Sequence, residues 1–270
     1  MALEDREWRL IREEARGGPM QMALEEVAAE TAADGGPRTV RVYRWSPSTL
    51  SMGYRQAANS VDWGYADREG IDVTRRQTGG GGIYHDSYGD ISYSIVGPAD
   101  ELPGDLMECY DLLCEPILDA FHEMGVDAQF VAEEYPALHE PACYLRALHP
   151  AHDMVAGGKK IAGNAQYRTR DAVIQHGSLS YDLAPADHLG VFADPGVDES
   201  GFRERVTSIR EQADVSREDA VAALEDTLQS WCGASVGEWT DDELAAARDL
   251  AAEKYATDDW TRERTDPTDA

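Results

Sequence analysis

The spacing of apolar residues changes period along this chain, and each change marks an element. Met20, Ala23, Leu24, Val27 and Ala28 recur at helical spacing, so residues 20–32 read as a helix ended by Gly35-Gly36-Pro37. Residues 39–45 alternate apolar and polar side chains as a strand does, and residues 49–54 read as its hairpin partner beyond Pro47. A short helix over 61–69 stops at Gly70. Residues 71–74 and 91–96 alternate like strands on either side of a glycine-rich loop. Leu106, Tyr110, Leu113, Ile117 and Phe121 predict a long helix over 106–125. A short strand at 129–131 and a loop over 136–150 follow. Residues 153–156 and 159–168 form a hairpin about Gly157-Gly158, and 172–181 add another strand. Residues 194–203 are a polar loop. Ser216 caps a helix running to Trp231, and Thr240-Asp241-Asp242-Glu243 opens another, reaching about Tyr255. At the start, residues 4–15 are charged and mix helix formers, ahead of the break at Gly17-Gly18-Pro19.

The strands and helices interleave, which places the chain in the α/β class of α+β type. No linker separates two domains, so residues 1–262 read as one catalytic-sized domain and 263–270 as a disordered tail.

Charge narrows the partners. Acidic residues number 52 against 24 basic, a formal net charge of −28, which argues against nucleic-acid phosphate or an anionic membrane as a partner. Lysine occurs only at Lys159, Lys160 and Lys254. An acidic, lysine-poor surface suits a high-salt cytoplasm, where screening removes self-repulsion, so a halophilic source is expected. The N-terminus is charged and lacks an apolar signal region, and no apolar run is long enough to span a membrane; the expected location is cytoplasmic. Cys109, Cys114, Cys143 and Cys232 lack the Cys-x2-Cys spacing of a zinc ribbon and are expected to be thiols.

Two stretches carry candidate chemistry. The first is Arg75-Arg76-Gln77-Thr78-Gly79-Gly80-Gly81-Gly82-Ile83-Tyr84-His85-Asp86. Consecutive glycine N–H groups can form a concave nest for an anion, and a guanidinium is shaped for phosphate or carboxylate. Neither the P-loop nor the dinucleotide spacing is present. The second is the hairpin at Lys159-Lys160. Alternation turns Lys160 away from Lys159, so it can face a pocket while Lys159 stays solvated. Its ammonium can stabilise charge developing in acyl transfer. His176 on the following strand either lines that pocket or is a satisfied core histidine.

Together these stretches resemble the lipoate–protein ligase A family and its octanoyltransferase relatives. The first matches Arg-Arg-x-Ser/Thr-Gly-Gly-Gly-x-x-x-His-Asp. The second, Lys160-Ile161-Ala162-Gly163-Asn164-Ala165-Gln166 followed by Gln175-His176-Gly177-Ser178-Leu179, matches Lys-Ile-x-Gly-x-Ala-Gln and His-Gly-Ser/Thr-Leu. Met22-Ala23-Leu24-Glu25-Glu26, Trp45-Ser46-Pro47, Gly53-Tyr54-Arg55-Gln56 and Lys254-Tyr255 with Trp260 extend the likeness over roughly 18–262.

The resemblance implies the biotin/lipoate ligase catalytic fold, a mixed and largely antiparallel sheet packed with helices. It implies a ligase that activates lipoate with ATP and Mg2+ to lipoyl-AMP. The lipoyl group then passes to a lysine of a carrier domain of a 2-oxoacid dehydrogenase or the glycine cleavage H protein. Arg76, Thr78, Gly79, Gly80 and the backbone of Gly81, Gly82, Ile83 and Tyr84 would hold nucleotide or acyl carboxyl. His85 would lie beside the acyl chain, with Gly163, Ala165 and His176 nearby. Lys160 would touch acyl carbonyl and phosphate, and Asp153 would help place adenylate or magnesium. Asp90 stands where the motif usually has Asn. The chain stops at the family's closing helix, which implies a separate accessory ligase subunit. Cys143 lies seventeen positions before Lys160, where one octanoyltransferase group carries a nucleophilic cysteine and uses acyl carrier protein without ATP. Cys143 is thus either that nucleophile, helped to ionise by Lys160, or a small apolar loop residue. Ligation is the leading expectation, octanoyl transfer the alternative, and a non-catalytic adaptor the third.

Overall fold

The computed structural model describes residues 6–149 and 152–269, and the ends of the expected 4–15 and 136–150 segments lie outside them. Its strands are β1 (Trp8–Arg16), β2 (Arg38–Trp45), β3 (Thr49–Met52), β4 (Asp72–Arg75), β5 (Ile83–His85), β6 (Asp90–Pro98), β7 (Ala128–Phe130), β8 (Asp153–Ala156), β9 (Lys159–Arg168), β10 (Ala172–Ser180) and β11 (Ser235–Val236). Its helices are α1 (Gly18–Ala33), α2 (Trp63–Glu69), α3 (Leu106–Glu123), α4 (Pro185–Gly190), α5 (Glu199–Arg205), α6 (Ile209–Gln212), α7 (Arg217–Cys232), α8 (Asp241–Leu250) and α9 (Asp258–Thr261).

A large sheet runs in the order β11-β1-β2-β6-β10-β9-β8-β7, and a small one in the order β4-β3-β5. In the large sheet β1 pairs in parallel with β2 and β11, and the remaining pairs are antiparallel. This is the mixed, largely antiparallel sheet with helices that the resemblance implied.

Alternation along β2 shows how the layers form. Val40 and Val42 join Leu10, Ile91 and Ile95 in a core covered by Leu113, Ile117 and Phe121 of α3 and Leu224 and Leu228 of α7. Tyr43 and Trp45 point to the other face and pack with Met22, Leu24 and Val27 of α1. Each such side chain contributes about 1.5–3 kcal/mol by leaving water. Sequence marks the ends of these helices well: Asp105 caps α3, Ser216 caps α7, and Gly233 closes α7 in the left-handed region.

Four segments depart from expectation. Residues 8–16 form a strand although their composition suits a helix, because Leu10 and Ile11 bury fully between two parallel neighbours. Residues 49–52 do not pair with β2. Pro47 cannot donate to a ladder there, and Leu50 and Met52 bury in a third core with Ile83, Leu145, Phe192 and Phe202. Part of the expected polar loop is helix α5, capped by Asp198 and anchored by the buried Phe202. The helix from Thr240 is regular only to Leu250, then widens into a π-turn, Ala251–Tyr255, that turns Lys254 and Tyr255 inward. Lys254 there pairs with Glu26 and Asp266. Among the described residues no helix is long and apolar enough to cross a membrane.

Candidate active site

A cavity of about 370 Å³ opens between the small sheet and the face of the large sheet formed by β2, β6, β10 and β9. The two candidate stretches meet in it. Arg76, Gly79, Gly80, Gly81, Ile83 and His85 line one side, and Asp153, Lys160, Gly163, Ala165 and His176 the other, with Cys143 between them. Thr78, Gly82 and Tyr84 do not line it. Tyr84 turns its hydroxyl toward Asp86 and Asp187 on the far side of β5.

The arginines act on the loop itself. Arg76 donates through Nε to Thr78 Oγ1 (2.9 Å), through Nη1 to Ser51 O (2.7 Å), and through Nη2 to Gly79 O and Gly81 O (2.8 and 2.7 Å). Arg75 donates to Gly53 O, Tyr54 O, Gln56 O, Trp260 O and Thr261 O. Both guanidiniums are thus committed to the protein's own oxygens, which corrects the expectation of a free guanidinium awaiting an anion. Burial lowers the pKa of each.

The loop is stitched to the segment before Cys143. Gly82 N donates to Pro141 O (2.7 Å) and Cys143 N to Gly82 O (2.8 Å). A Cβ at Gly81 would stand 2.7 Å from Pro141 O and 2.9 Å from Cys143 N, so only glycine permits this approach.

Lys160 is buried, as the alternation of β9 predicts, whereas Lys159 donates outward to Arg203 O. Its ammonium meets Asp153 Oδ1 at 2.7 Å and Cys143 O at 2.9 Å, and lies 3.7 Å from Cys143 Sγ. Burial would lower its pKa, but Cys143 and Asp153 hold it above the usual lysine range. Asp153 is in turn held below the carboxylate range, Lys160 overcoming the effect of burial. The site therefore keeps an ammonium beside a thiol that is only partly buried.

Two further networks brace the cavity floor. His85 Nε2 pairs with Ser51 Oγ (2.8 Å) and Nδ1 with Asp90 Oδ2 (3.2 Å), and its ring stacks on Trp45. Burial lowers the pKa of His85, so its neutral form is favoured. His176 Nε2 pairs with Thr78 Oγ1 (2.8 Å) and Nδ1 with Glu25 (3.0 Å). Burial pushes the Glu25 carboxyl up, but His176, Arg41 and Ser94 bring it down to about 2. His176 is thus both buried and on the cavity wall. Met22, Tyr43 and Trp45 supply apolar surface deeper in.

Sequence reasoning missed Ser51, His149 and His152, all of which line the cavity. A lone serine in a strand and two histidines in a loop carry no spacing signal; only pairing through Asp153 and His85 reveals them.

Comparison with known proteins bears on the family. The chain is 31% identical over 278 residues to the octanoyltransferase LipM of Brevibacillus brevis (96% of this chain, 99% of that protein), and 32% identical over 270 residues to that of Kyrpidia tusciae (94% and 97%). It superposes on lipoate-protein ligase A bound with ATP with a TM-score of 0.78 at 27% identity, covering 95% of this chain and 98% of that one. A putative lipoate protein ligase from T. acidophilum with bound lipoic acid gives 0.77 at 27%, covering 95% and 99%. Residues 18–229 match the lipoyl protein ligase A/B catalytic domain model. The chain belongs to the lipoyl protein ligase A/B catalytic domain family.

Proposed function

We propose that this protein is a cysteine-dependent acyltransferase. It moves an octanoyl-type group from the thioester of an acyl carrier protein to a lysine of a lipoyl carrier domain, as in a 2-oxoacid dehydrogenase or the glycine cleavage H protein. The reading rests on the 3.7 Å approach of Lys160 Nζ to Cys143 Sγ in the cavity wall, and it is supported by the octanoyltransferase relatives. It reverses the order expected from sequence, where ATP-dependent ligation led.

The Cys143 thiol gives up its proton as Sγ attacks the thioester carbonyl carbon; the carrier C–S bond breaks with its electron pair on the carrier sulfur, and that sulfur takes the proton, so the carrier leaves as a thiol. The Lys160 ammonium stabilises negative charge on sulfur and on the carbonyl oxygen as it develops. Asp153 keeps that ammonium charged and in place. The apolar wall of Met22, Tyr43 and Trp45 accepts the acyl chain.

The ligase reading keeps support from the likeness to lipoate-protein ligase A bound with ATP. Its reagents are ATP, Mg2+ and lipoate, with a separate accessory subunit. The residues here fit a triphosphate less well: both arginines are spent on the protein's own oxygens.

The test is incubation with octanoyl-acyl carrier protein without ATP, followed by mass mapping. An octanoyl adduct on Cys143 that passes to a lipoyl domain supports transfer. Carrier labelling that needs lipoate and ATP, with Cys143 unmodified, supports ligation instead.

A further inference from the structure

We propose that Asp90 is a positioning residue for the reacting pair. Through Ser178 it sets the direction of a hydrogen-bond chain ending at Tyr144, beside Cys143 and Lys160, and through His85 and Ser92 it sets the wall that faces them. The inference rests on the reading that Cys143 and Lys160 act together, and it adds the group that holds their surroundings in one arrangement.

Asp90 is buried and does not itself line the cavity, so whatever it does there it does through other side chains. Its backbone is fixed: Asp90 N donates to Asp86 O (3.1 Å), and Arg217 Nη2 donates to Asp90 O (3.1 Å). Three side chains converge on its carboxylate. Ser178 Oγ donates to Oδ1, Ser92 Oγ donates to Oδ2 at 2.6 Å, and His85 Nδ1 meets the same Oδ2 at 3.2 Å.

A carboxylate offers acceptors alone, so the direction of every bond behind it follows. Ser178 spends its proton on Asp90, and Tyr144 therefore donates to Ser178 Oγ (2.8 Å). Burial pushes the pKa of Tyr144 up, so its hydroxyl keeps the proton it gives. Ser92 likewise spends its proton on Asp90 and accepts from Trp45 Nε1 (2.9 Å). His85, which burial favours as neutral, presents Nδ1–H to Asp90 and leaves Nε2 to accept from Ser51 Oγ (2.8 Å).

These chains end on both sides of the chemistry. Tyr144 follows Cys143 in the chain, and its ring centroid lies 5.6 Å from Lys160 Nζ. A cation over a ring is drawn to the ring face, so a pinned Tyr144 gives Lys160 a fixed seat. On the other side, the rings of His85 and Trp45 stack at 4.1 Å and both line the cavity.

Asn, the usual residue of the motif at this position, is the sharpest probe. An amide replaces one acceptor oxygen by an NH2 donor. With NH2 toward Ser178, that serine turns its proton to Tyr144, whose own hydroxyl proton loses its acceptor. With NH2 toward His85 and Ser92, His85 changes to its Nε2–H tautomer. Either way one chain reverses.

The test compares wild type, Asp90→Asn, Tyr144→Phe and the double variant at one pH. Loading of Cys143 from octanoyl-acyl carrier protein is followed by intact mass, and alkylation of Cys143 by iodoacetamide is measured beside it. Asp90→Asn is expected to slow both about tenfold. In the Tyr144→Phe background the same substitution should slow them less than twofold, because the hydroxyl it misdirects is gone. Nitrogen NMR of His85 reads the other chain, and a switch from the Nδ1–H to the Nε2–H tautomer in Asp90→Asn supports the assignment equally. Should Asp90→Asn fail to fold, Ser178→Ala cuts the Tyr144 chain alone and is expected to show the same coupling with Tyr144→Phe. If wild type never loads at Cys143, the acyl-transfer reading fails by itself, and the alkylation rates still decide the role of Asp90. Unchanged rates in Asp90→Asn, or losses that add with Tyr144→Phe while His85 keeps its tautomer, overturn it.

Discussion

Cys143 Sγ and Lys160 Nζ lie 3.7 Å apart although they stand seventeen positions apart in the chain. The contact is built by backbone, not by chance proximity. β9 carries Lys160, the glycine loop holds Cys143 through Gly82, and Lys160 Nζ also donates to Cys143 O.

Cys143→Ala is expected to abolish octanoyl transfer and the enzyme-bound acyl adduct. Lys160→Met should retain the fold and lose about 10²–10³-fold in the rate of adduct formation, as when one charge-stabilising donor is removed. Stopped-time intact mass spectrometry measures both. Lys160→Met that loads at the wild-type rate would show the ammonium is not part of the chemistry.

Asp153→Asn leaves the buried Lys160 ammonium without its counter-charge. Breaking a buried pair in this way is expected to cost about 3 kcal/mol, read as a lower urea midpoint, with transfer slowed as well. Replacing the pair together, Asp153→Asn with Lys160→Met, should recover part of that stability but none of the activity.

A Cβ at Gly163 would stand 3.3 Å from Lys160 Nζ and 3.4 Å from Cys143 Sγ. The flexible lysine can yield by a few tenths of an ångström. Gly163→Ala should therefore fold with near wild-type stability and load Cys143 about tenfold more slowly. Loss of stability without loss of rate would place the strain elsewhere.

The two arginines should separate in their effects. Arg75→Lys loosens Gly53 to Gln56 from the Trp260-Thr261 end and should cost about 2–3 kcal/mol of stability, since a lysine cannot reach these carbonyls together. Arg76→Lys releases Gly79 O and Gly81 O and should lower kcat more than it lowers the melting temperature. Calorimetry beside steady-state kinetics checks the split.

His188 is buried among Tyr84, Tyr144 and Phe202, and burial brings its pKa down from 6.5 to about 4. Unfolded, it takes up a proton as pH falls through about 6.5; folded, it resists until about 4. The unfolded state therefore binds more protons across that window, and stability falls as pH drops through it, by about 3 kcal/mol in all. Urea midpoints from pH 7 to pH 4 should fall less steeply in His188→Phe than in wild type.

What the sequence determined by itself is local. The helix α3 was readable because its apolar residues fall on one stripe, and α7 because Ser216 and Gly233 mark its ends. The hairpin β8–β9 was readable from Gly157-Gly158, and with it the inward turn of Lys160, because alternation in a strand fixes which way a side chain points. The two chemical stretches were visible as motifs for the same reason: each is contiguous. Tertiary structure alone decided the rest. Residues 8–16 became a strand because neighbours on both sides bury Leu10, a fact no local propensity contains. Arg75 and Arg76 turned from anion binders into braces because the carbonyls that satisfy them come from Gly53, Gly81 and Thr261, distant in sequence or pointed inward by the fold. The proposal that Cys143 is a nucleophile and not a filler also leans on a distance across the cavity. Side-chain periodicity reports which face a residue occupies, whereas the partner on that face depends on how separate elements pack.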